Sequence, residues 1–333
     1  MASLKEVLKD LNKNRLDVDQ FKTADQYPDD YFTTKILSTT SPYLDYKIKA
    51  ELGKGGIPRG RFTLIAGGEG SSKSSLALLA ATSVQKEGQV VVYFDAEATT
   101  DESYFSRFGI DKHLFIHYKG NNLEEMLDAA EAFSKADEVG MIVIDSLPAF
   151  TSKVVEDKSA EDNSIGVEAK KFNARMPIIY GNIARRGIAL IAINFYKLNP
   201  GAMGDPRVLS RGEWQKYMSS LTLELTKKDL IKDKDKNPIG HKMDVRIKKS
   251  KMQEYDPKSE FTLNFYYGYG FNRADEYADL FIETGVIRQA GAWFFPPANG
   301  KEELKFQGRD SLVQFLKDNE EYLDNLIKVH GTS

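Results

Sequence analysis

A loop of glycine and serine between an apolar run and a helical stretch constrains this chain more than any other feature. The loop consists of Gly67, Gly68, Glu69, Gly70, Ser71, Ser72, Lys73, Ser74 and Ser75. In the phosphate-binding pattern GxxxxGK[ST], Gly67, Lys73 and Ser74 are in place, whereas Ser72 stands at the last glycine. The loop therefore predicts a nucleotide site, provided that the Ser72 backbone adopts the conformation of the loop.

The residue types of this loop suit a nucleotide and its metal ion. Consecutive amides at the start of a helix carry partial positive charge that stabilises phosphate groups. The Lys73 ammonium can reach the outer phosphates, and the Ser74 hydroxyl can bind Mg²⁺. We therefore expect residues 67–75 to bind nucleotide, with Lys73 contributing to catalysis.

Two carboxylates outside the loop complete the expected site. Such a site needs an acidic residue at the end of a neighbouring strand to hold the metal, and Asp145 ends the apolar run Met-Ile-Val-Ile-Asp. Glu97 follows another apolar run, at the sheet edge where doubly wound folds bind ligands. A carboxylate there could orient or deprotonate an attacking water, so Glu97 is the candidate catalytic base.

The order of apolar runs predicts the fold class. Near-continuous apolar segments alternate with helical stretches, which indicates an α/β fold with a mainly parallel, doubly wound sheet. The apolar segments are Arg61 to Ala66, Val90 to Asp95, Met141 to Asp145 and Ala189 to Asn194. Three later segments predict an antiparallel extension: Leu221 to Lys227, Met243 to Lys248 and Phe261 to Tyr266.

The pattern also predicts three domains. Residues 35–274 form the ATPase-like core and residues 275–333 a small α+β C-terminal lobe. In residues 1–34, Leu4, Val7, Leu8 and Leu11 form the stripe of a short amphipathic helix. Because such a helix is unstable alone, it docks either on its own domain or on a neighbouring copy, and we predict an oligomerisation segment.

Composition excludes several function classes. The chain has 46 Lys and Arg against 49 Asp and Glu, so bulk attraction to nucleic acid is not expected and a polyanion needs a local basic patch. With 0 Cys, disulfides, thiolate zinc sites and cysteine nucleophiles are excluded. No apolar run is long enough to cross a bilayer, and we expect a cytoplasmic protein.

Together these motifs resemble the RecA family of homologous recombination proteins over roughly residues 35–330. The loop is preceded by GGIPRGRFTLIAG, and MIVIDSLPAF resembles the family's second acidic strand. AGAWFFPPANGKEELKFQGRDSLVQFLKDN resembles the family's C-terminal lobe. The resemblance implies a RecA-like P-loop fold and a DNA-dependent ATPase that uses ATP and Mg²⁺. It also implies helical filaments on single-stranded DNA and strand exchange with a homologous duplex.

The resemblance assigns further residues by motif. The segment after Glu97, with Asp101 and Tyr104, is similar to the family's adenine-contacting loop. Lys249 and Lys251 are similar to two lysines that reach across the filament interface into the neighbour's ATP site. Two long polar segments, Val155 to Ile165 and Phe195 to Glu213, correspond to the DNA-binding loops. The candidate DNA contacts are Lys170, Lys171, Lys197, Arg207 and Arg211.

The chain departs from the family pattern at three places. Ser72 in place of glycine resembles phage recombinases of the UvsX type, which suggests a phage-encoded protein in a host cytoplasm. Phe195 stands where a glutamine usually senses the γ-phosphate, and an aromatic ring cannot make that hydrogen bond. Asn194 is therefore the candidate sensor. Finally, this sequence ends in KVHGTS, where the family has an acidic tail that inhibits binding to duplex DNA. We therefore do not expect such self-inhibition here.

Other interpretations use the same core. A hexameric helicase or ATPase would share the loop and the acidic strand but is not expected to carry the AGAW lobe. A DNA-coating protein that binds ATP and hydrolyses it weakly fits the changes at Ser72 and Phe195. A single-strand-binding protein and a loading protein are further expected partners. The four histidines, His113, His117, His241 and His330, have no ligand spacing and are predicted to be structural.

Overall fold

The structure is a computed structural model. It describes residues 23–26, 33–98, 100–152, 165–198, 207–210, 214–252, 259–298 and 303–331. The chain divides into two compact units, residues 1–35 and 36–333. The first unit contains a short 3-10 turn at Ala24–Gln26. The predicted amphipathic stripe of residues 4–11 lies outside the described residues, so its oligomerisation role stays a prediction.

The second unit contains helices and strands in alternation. The helices are α1 (Pro42–Lys49), α2 (Lys73–Lys86), α3 (Glu102–Arg107), α4 (Leu123–Phe133), α5 (Ile165–Arg186), α6 (Trp214–Met218), α7 (Arg273–Glu283), α8 (Arg309–Asp318) and α9 (Glu320–His330). The strands of the first half are β1 (Ile36–Leu37), β2 (Ile57–Pro58), β3 (Phe62–Gly67), β4 (Val90–Asp95), β5 (Phe115–Lys119), β6 (Val139–Asp145) and β7 (Ala189–Asn194). Those of the second half are β8 (Tyr196–Leu198), β9 (Arg207–Leu209), β10 (Leu221–Lys232), β11 (Pro238–Ser250), β12 (Glu260–Tyr266), β13 (Gly270–Phe271), β14 (Arg288–Ala290), β15 (Trp293–Phe295) and β16 (Phe306–Gln307).

One large sheet organises the described part of this unit. Its nine strands run in the order β13-β12-β11-β10-β3-β7-β6-β4-β5. The strands from β10 to β5 are parallel to one another, whereas β11, β12 and β13 add antiparallel pairs at the other end. The predicted α/β fold with a mainly parallel sheet and an antiparallel extension is confirmed.

Two details of the sheet differ from the sequence prediction. The edge strand β5 was not predicted, because Phe-Ile-His-Tyr-Lys mixes polar and apolar residues as a strand with a partly exposed face does. The hairpin of β10 and β11 is longer than predicted. The predicted strands Leu221 to Lys227 and Met243 to Lys248 leave residues 228–242 between them, but β10 continues to Lys232 and β11 begins at Pro238. The strands of an exposed hairpin need not alternate apolar and polar residues, so hydrophobic periodicity does not reveal them.

Both faces of the sheet are covered. On one face α2 packs over buried side chains that include Ile65, Tyr93 and Ile191. On the other face α4 and α5 pack over Leu64, Val92 and Leu190, among others. A third apolar cluster joins α7, α8 and α9 in the C-terminal part. Among the described residues no helix is long and apolar enough to cross a membrane.

The parallel sheet gathers four strand ends at one edge. Asp95 is level with Asp145 in the pairing of β4 with β6, and Ala66 is level with Asn194 in the pairing of β3 with β7. Each of these strands therefore delivers its C-terminal residue to the same edge, which is where open α/β sheets bind ligands.

Candidate nucleotide-binding site

The loop between β3 and α2 enters the helix through a residue in the left-handed region. Ser72 immediately precedes α2 and lies in the left-handed region, with φ 64° and ψ 28°. Serine therefore adopts at this position a conformation that glycine adopts more readily, and the nucleotide-binding role of the loop stays a prediction. Gly67 has no room for a side chain, because a Cβ atom would lie 2.3 Å from the carbonyl oxygen of Leu225 on β10. The Ser71 hydroxyl closes the loop by donating to the Gly68 carbonyl at 2.8 Å.

Lys73 places its ammonium inside the loop. Its Nζ donates to the carbonyl oxygen of Gly68 at 2.6 Å. Burial lowers the pKa of this ammonium, and the negative charges of Asp145 and Glu97, followed by that of Glu69, act in the opposite direction. The Lys73 charge therefore lies near carboxylates, and among the described residues its ammonium donates to a loop carbonyl oxygen.

Asp145 and Ser74 form the candidate metal half of the site. The carboxylate of Asp145 accepts hydrogen bonds from Tyr93 and Ser74. Burial raises the pKa of Asp145, while the hydrogen bonds from Ser74 and Tyr93 oppose that shift. A hydroxyl beside a carboxylate offers the oxygen donors that Mg²⁺ prefers. The described residues hold no group of three or more His, Asp or Glu side chains that could bind a metal, but Mg²⁺ at a nucleotide needs only one or two protein ligands.

The loop that carries Glu97 is fixed by its buried neighbour Asp95. This carboxylate accepts hydrogen bonds from the backbone of Ala98 at 2.9 Å, from Thr100, and from His117 at 3.4 Å. Burial raises the pKa of Asp95, but these hydrogen bonds outweigh it and bring the pKa below its usual range. Glu97 itself is exposed, and its Oε1 accepts a hydrogen bond from the Ser146 hydroxyl at 3.3 Å.

These residues surround one cleft of about 750 Å³. Its lining includes Lys73, Ser74, Glu97, Asp101, Tyr104 and Asp145, all of which were predicted as site residues. The cleft is also lined by Phe195, which follows β7, and by Tyr196, the first residue of β8. Sequence positions far apart thus meet at the strand ends, as the parallel sheet demands.

A second hollow beside the loop is suited to a flat apolar group. Asp101 caps α3 by accepting the amide of Tyr104 at 2.9 Å, and the hydrogen bond from Ser103 lowers the pKa of Asp101. Tyr104 is further held by Ser75, 3.1 Å away from hydroxyl to hydroxyl. Across the hollow lie Tyr267 and Gly268, which sequence reasoning missed. The Tyr-Gly-Tyr-Gly turn after β12 was the signal that could have indicated them.

Asn194 does not line the cleft. It is fully buried, and its Nδ2 donates to the Ser210 carbonyl at 2.9 Å and to Oε1 of Gln215 at 2.6 Å. Its Oδ1 accepts the amide of Phe195 at 2.7 Å. A direct contact to a phosphate would require these bonds to break. The sensor role of Asn194 stays a prediction.

The structure reaches only part of the predicted DNA path. Residues 153–164, 199–206 and 211–213, including Arg211, lie outside the described residues. Lys197 and Arg207 belong to the paired strands β8 and β9, and of their side chains nothing is described. On α5, Lys170 is exposed, whereas the Lys171 ammonium contacts Glu124 and the Ser152 hydroxyl. All five DNA contacts stay predictions.

The two candidate interface lysines lie at the end of β11. Lys249 donates from Nζ to the carbonyl oxygens of Lys216 at 2.5 Å and Tyr217 at 3.3 Å, in α6. Lys251 follows the strand end and is exposed. Burial lowers the pKa of Lys249, and the neighbouring charge of Lys251 adds to the shift. Neither lysine lines the cleft of its own chain.

Comparison with known proteins gives consistent matches. A family model described as the RecA N-terminal domain matches residues 21–272. A protein of Acholeplasma laidlawii named Protein RecA is 35% identical over 280 residues, which cover 83% of this chain and 82% of the relative. Proteins of the same name from Chlorobaculum parvum and Kineococcus radiotolerans are 32% and 30% identical, over 86% and 88% of this chain and 80% and 82% of the relatives.

Proposed function

The chain belongs to the RecA family of DNA-dependent ATPases that act in homologous recombination, and we propose that its cleft binds ATP with Mg²⁺ between two copies of the chain. The observation that carries this proposal is the P-loop itself. Its left-handed Ser72, the Lys73 ammonium and the Ser74–Asp145 pair bring a phosphate cradle and a metal half-site together. The hollow between Tyr104 and Tyr267 would hold the base.

The residues divide the reaction among them. The loop amides and Lys73 would bind the phosphates, and Ser74 with Asp145 would hold the metal. When bound, Mg²⁺ supplies positive charge to the phosphate oxygens. Glu97 is exposed at the cleft and would accept a hydrogen bond from the attacking water, which aligns the water with the outer phosphate. Asp95 would keep the Glu97 loop in place.

The missing positive charge would come from a second copy. Lys249 and Lys251 lie outside their own cleft, and their charges are close enough to affect each other. Placed against the neighbour's outer phosphate, they would stabilise the transition-state charge as an arginine finger does. Because such a contact joins unlike faces, repeated association gives an open helix, and the bound ATP would strengthen each junction.

DNA is the proposed partner of the segments that follow β6 and β7. Lys170, Lys197, Arg207 and Arg211 would supply phosphate contacts, with Lys171 joining them only if it leaves Glu124. These residues would hold single-stranded DNA along the filament. The bound strand would then pair with a homologous duplex. A single-strand-binding protein and a loading protein would act on the same filament.

Mixing two inactive variants tests the shared site. Lys249→Ala with Lys251→Ala should abolish DNA-stimulated phosphate release while nucleotide binding remains, and Lys73→Ala should abolish it from the other side of the junction. A mixture contains about a quarter of junctions with an intact cleft and intact lysines, so activity should partly return and peak near equal amounts. Lys232→Ala with Lys234→Ala removes two exposed lysines of the same hairpin and is the matched control, expected to keep wild-type activity.

The outcome also separates the other interpretations. If labelled subunits show that the two variants assemble together but phosphate release does not recover, Lys249 and Lys251 do not act in the neighbour's site. They would then be ordinary surface lysines. Electron microscopy of the wild type with ATP and single-stranded DNA should show helical filaments. Closed rings would favour a hexameric ATPase, and filaments without DNA-stimulated phosphate release would favour a coating protein.

A further inference from the structure

Ser72 adopts a backbone conformation that serine rarely adopts. Within residues 67–75, all of which the structure describes, Gly70 and Ser72 have positive φ angles, of 66° and 64°. The left-handed region is unfavourable for an L residue with a side chain but not for glycine. A chain with serine at this position therefore needs an interaction that stabilises the loop conformation.

The Ser72 side chain does not supply that interaction within its own helix. It makes no capping hydrogen bond to the amides of α2, which is the usual role of a serine at a helix start. Its hydroxyl instead lies 3.4 Å from Nε2 of His241, on β11. The two residues are distant in sequence, and the pairing of β10 with both β3 and β11 brings them together.

His241 has little other reason to be polar. The residue is fully buried, and its ring packs against the rings of Phe265 and Tyr267 at centroid distances of 5.6 and 5.7 Å. Its Nδ1 has no hydrogen-bond partner among the described residues. Because a buried polar group without a partner is destabilising, an apolar side chain would pack here at lower free energy. The contact with Ser72 is the polar interaction that this position provides.

We propose that His241 is a positioning residue of the P-loop, whose imidazole holds the Ser72 hydroxyl and so keeps Ser72 in the left-handed conformation that nucleotide binding requires. A neutral ring with its proton on Nε2 donates to Ser72 and leaves Nδ1 as an acceptor. Burial lowers the pKa of His241, and the ammonium of Lys227 on β10 lowers it further, which favours this neutral form. The contact between Ser72 and His241 would stabilise the left-handed backbone that glycine adopts without help. This inference rests on the nucleotide site proposed above.

A four-protein cycle tests this role. Wild type, His241→Leu, Ser72→Gly and the double variant are titrated with fluorescently labelled ADP in the presence of Mg²⁺. His241→Leu should weaken binding about fivefold in the wild-type background, because the left-handed conformation loses its support. In the Ser72→Gly background the same change should have no effect, since glycine needs no support.

Stability separates positioning from packing. Leucine fills the space of the imidazole without an unpaired nitrogen, so the melting temperature of His241→Leu should equal or exceed that of wild type. His241→Gln keeps a donor with similar reach and should retain most of the affinity. It therefore provides a second measurement if the leucine variant does not fold.

The results that overturn the inference are distinct from those that overturn the proposed function. An equal loss of ADP affinity in both backgrounds, or no loss in either, would show that His241 does not act through Ser72. Wild-type protein that fails to bind labelled ADP would overturn the nucleotide site itself, and this inference with it.

Discussion

Two groups of carboxylates in this molecule differ in the side chains that surround them. In the C-terminal part, the guanidinium of Arg309 donates to both oxygens of Asp279, at 2.6 and 2.8 Å, and to Asp275 at 3.1 Å. In the cleft, Asp145 is held by the hydroxyls of Tyr93 and Ser74. No ion pair joins Lys73 to a carboxylate there among the described residues; its ammonium contacts a carbonyl oxygen instead.

The difference separates a structural cluster from a binding cluster. Arg309 pairs bidentately with Asp279 and also donates to Asp275, so both aspartates lie against a positive charge of the protein itself. In the cleft the partners of Asp145 and Glu97 are hydroxyls, so these carboxylates keep the oxygen atoms that the proposed function assigns to a cation and to water. Substitutions in the first cluster should therefore change stability, and substitutions in the second should change turnover.

The largest effect is expected at Lys73. Lys73→Ala should lower ATP hydrolysis by about a thousandfold, because it removes the charge that stabilises the outer phosphates. The melting temperature should change little, since the ammonium makes one contact to a loop carbonyl. Lys86→Ala, an exposed lysine at the end of the same helix, is the control and should hydrolyse ATP normally. If Lys73→Ala hydrolysed ATP at the wild-type rate, the assignment of the cleft as the binding cluster would be wrong.

Glu97→Gln should reduce hydrolysis about a hundredfold while ADP and ATP affinity stay near wild type. The amide keeps the shape of the side chain and can still accept the Ser146 hydrogen bond, but it loses the basicity needed at the attacking water. Phosphate release and labelled-nucleotide binding measure the two effects separately. Normal hydrolysis in this variant would assign the water to another residue.

Arg309→Met should destabilise the protein by about 3 kcal/mol, because it leaves the buried Asp275 and the half-buried Asp279 without their cation. Urea unfolding measures this change. ATP hydrolysis per folded molecule should be unaffected. Arg288→Met removes an exposed pair with Glu303 and should cost less than about 1 kcal/mol. If both variants were equally stable, the buried pairing would have no structural value.

The last expected effect concerns Glu276, which contacts the Ser41 hydroxyl across the junction of α1 and α7. Burial raises the pKa of Glu276 to about 8, against about 4.5 for an exposed glutamate. The folded state therefore holds an extra proton between these values. Its contribution to stability is full below pH 4.5 and is lost as the pH rises through about 8.

Glu276→Gln should remove this dependence, because the amide stays neutral at every pH. The variant should gain up to about 3 kcal/mol relative to wild type on going from pH 5 to pH 8, measured by urea unfolding at both values. Glu321→Gln, at an exposed position of α9, should leave the pH profile unchanged. A wild-type profile that is flat over this range would contradict the assignment.

Much of the site could be predicted because its residues follow apolar runs directly. Gly67, Asp95 and Asp145 end strands whose side chains are buried on both faces, and parallel pairing brings such ends to one edge whatever the rest of the chain does. The spacing of Lys73 and Ser74 after β3 is likewise local. The sequence alone therefore determined the fold class, the P-loop, and the residues proposed to bind phosphate and metal.

The tertiary structure decided the contacts between segments that no local pattern connects. The approach of Tyr267 to Tyr104, the contact of Lys249 with α6, and that of His241 with Ser72 all depend on how β10, β11 and β12 are paired and shifted. Asn194 likewise turned out to be bonded to Ser210 and Gln215 rather than facing the cleft. Periodicity reports which face of a strand is buried, but not which distant side chain lies against it, because that depends on strand register and packing.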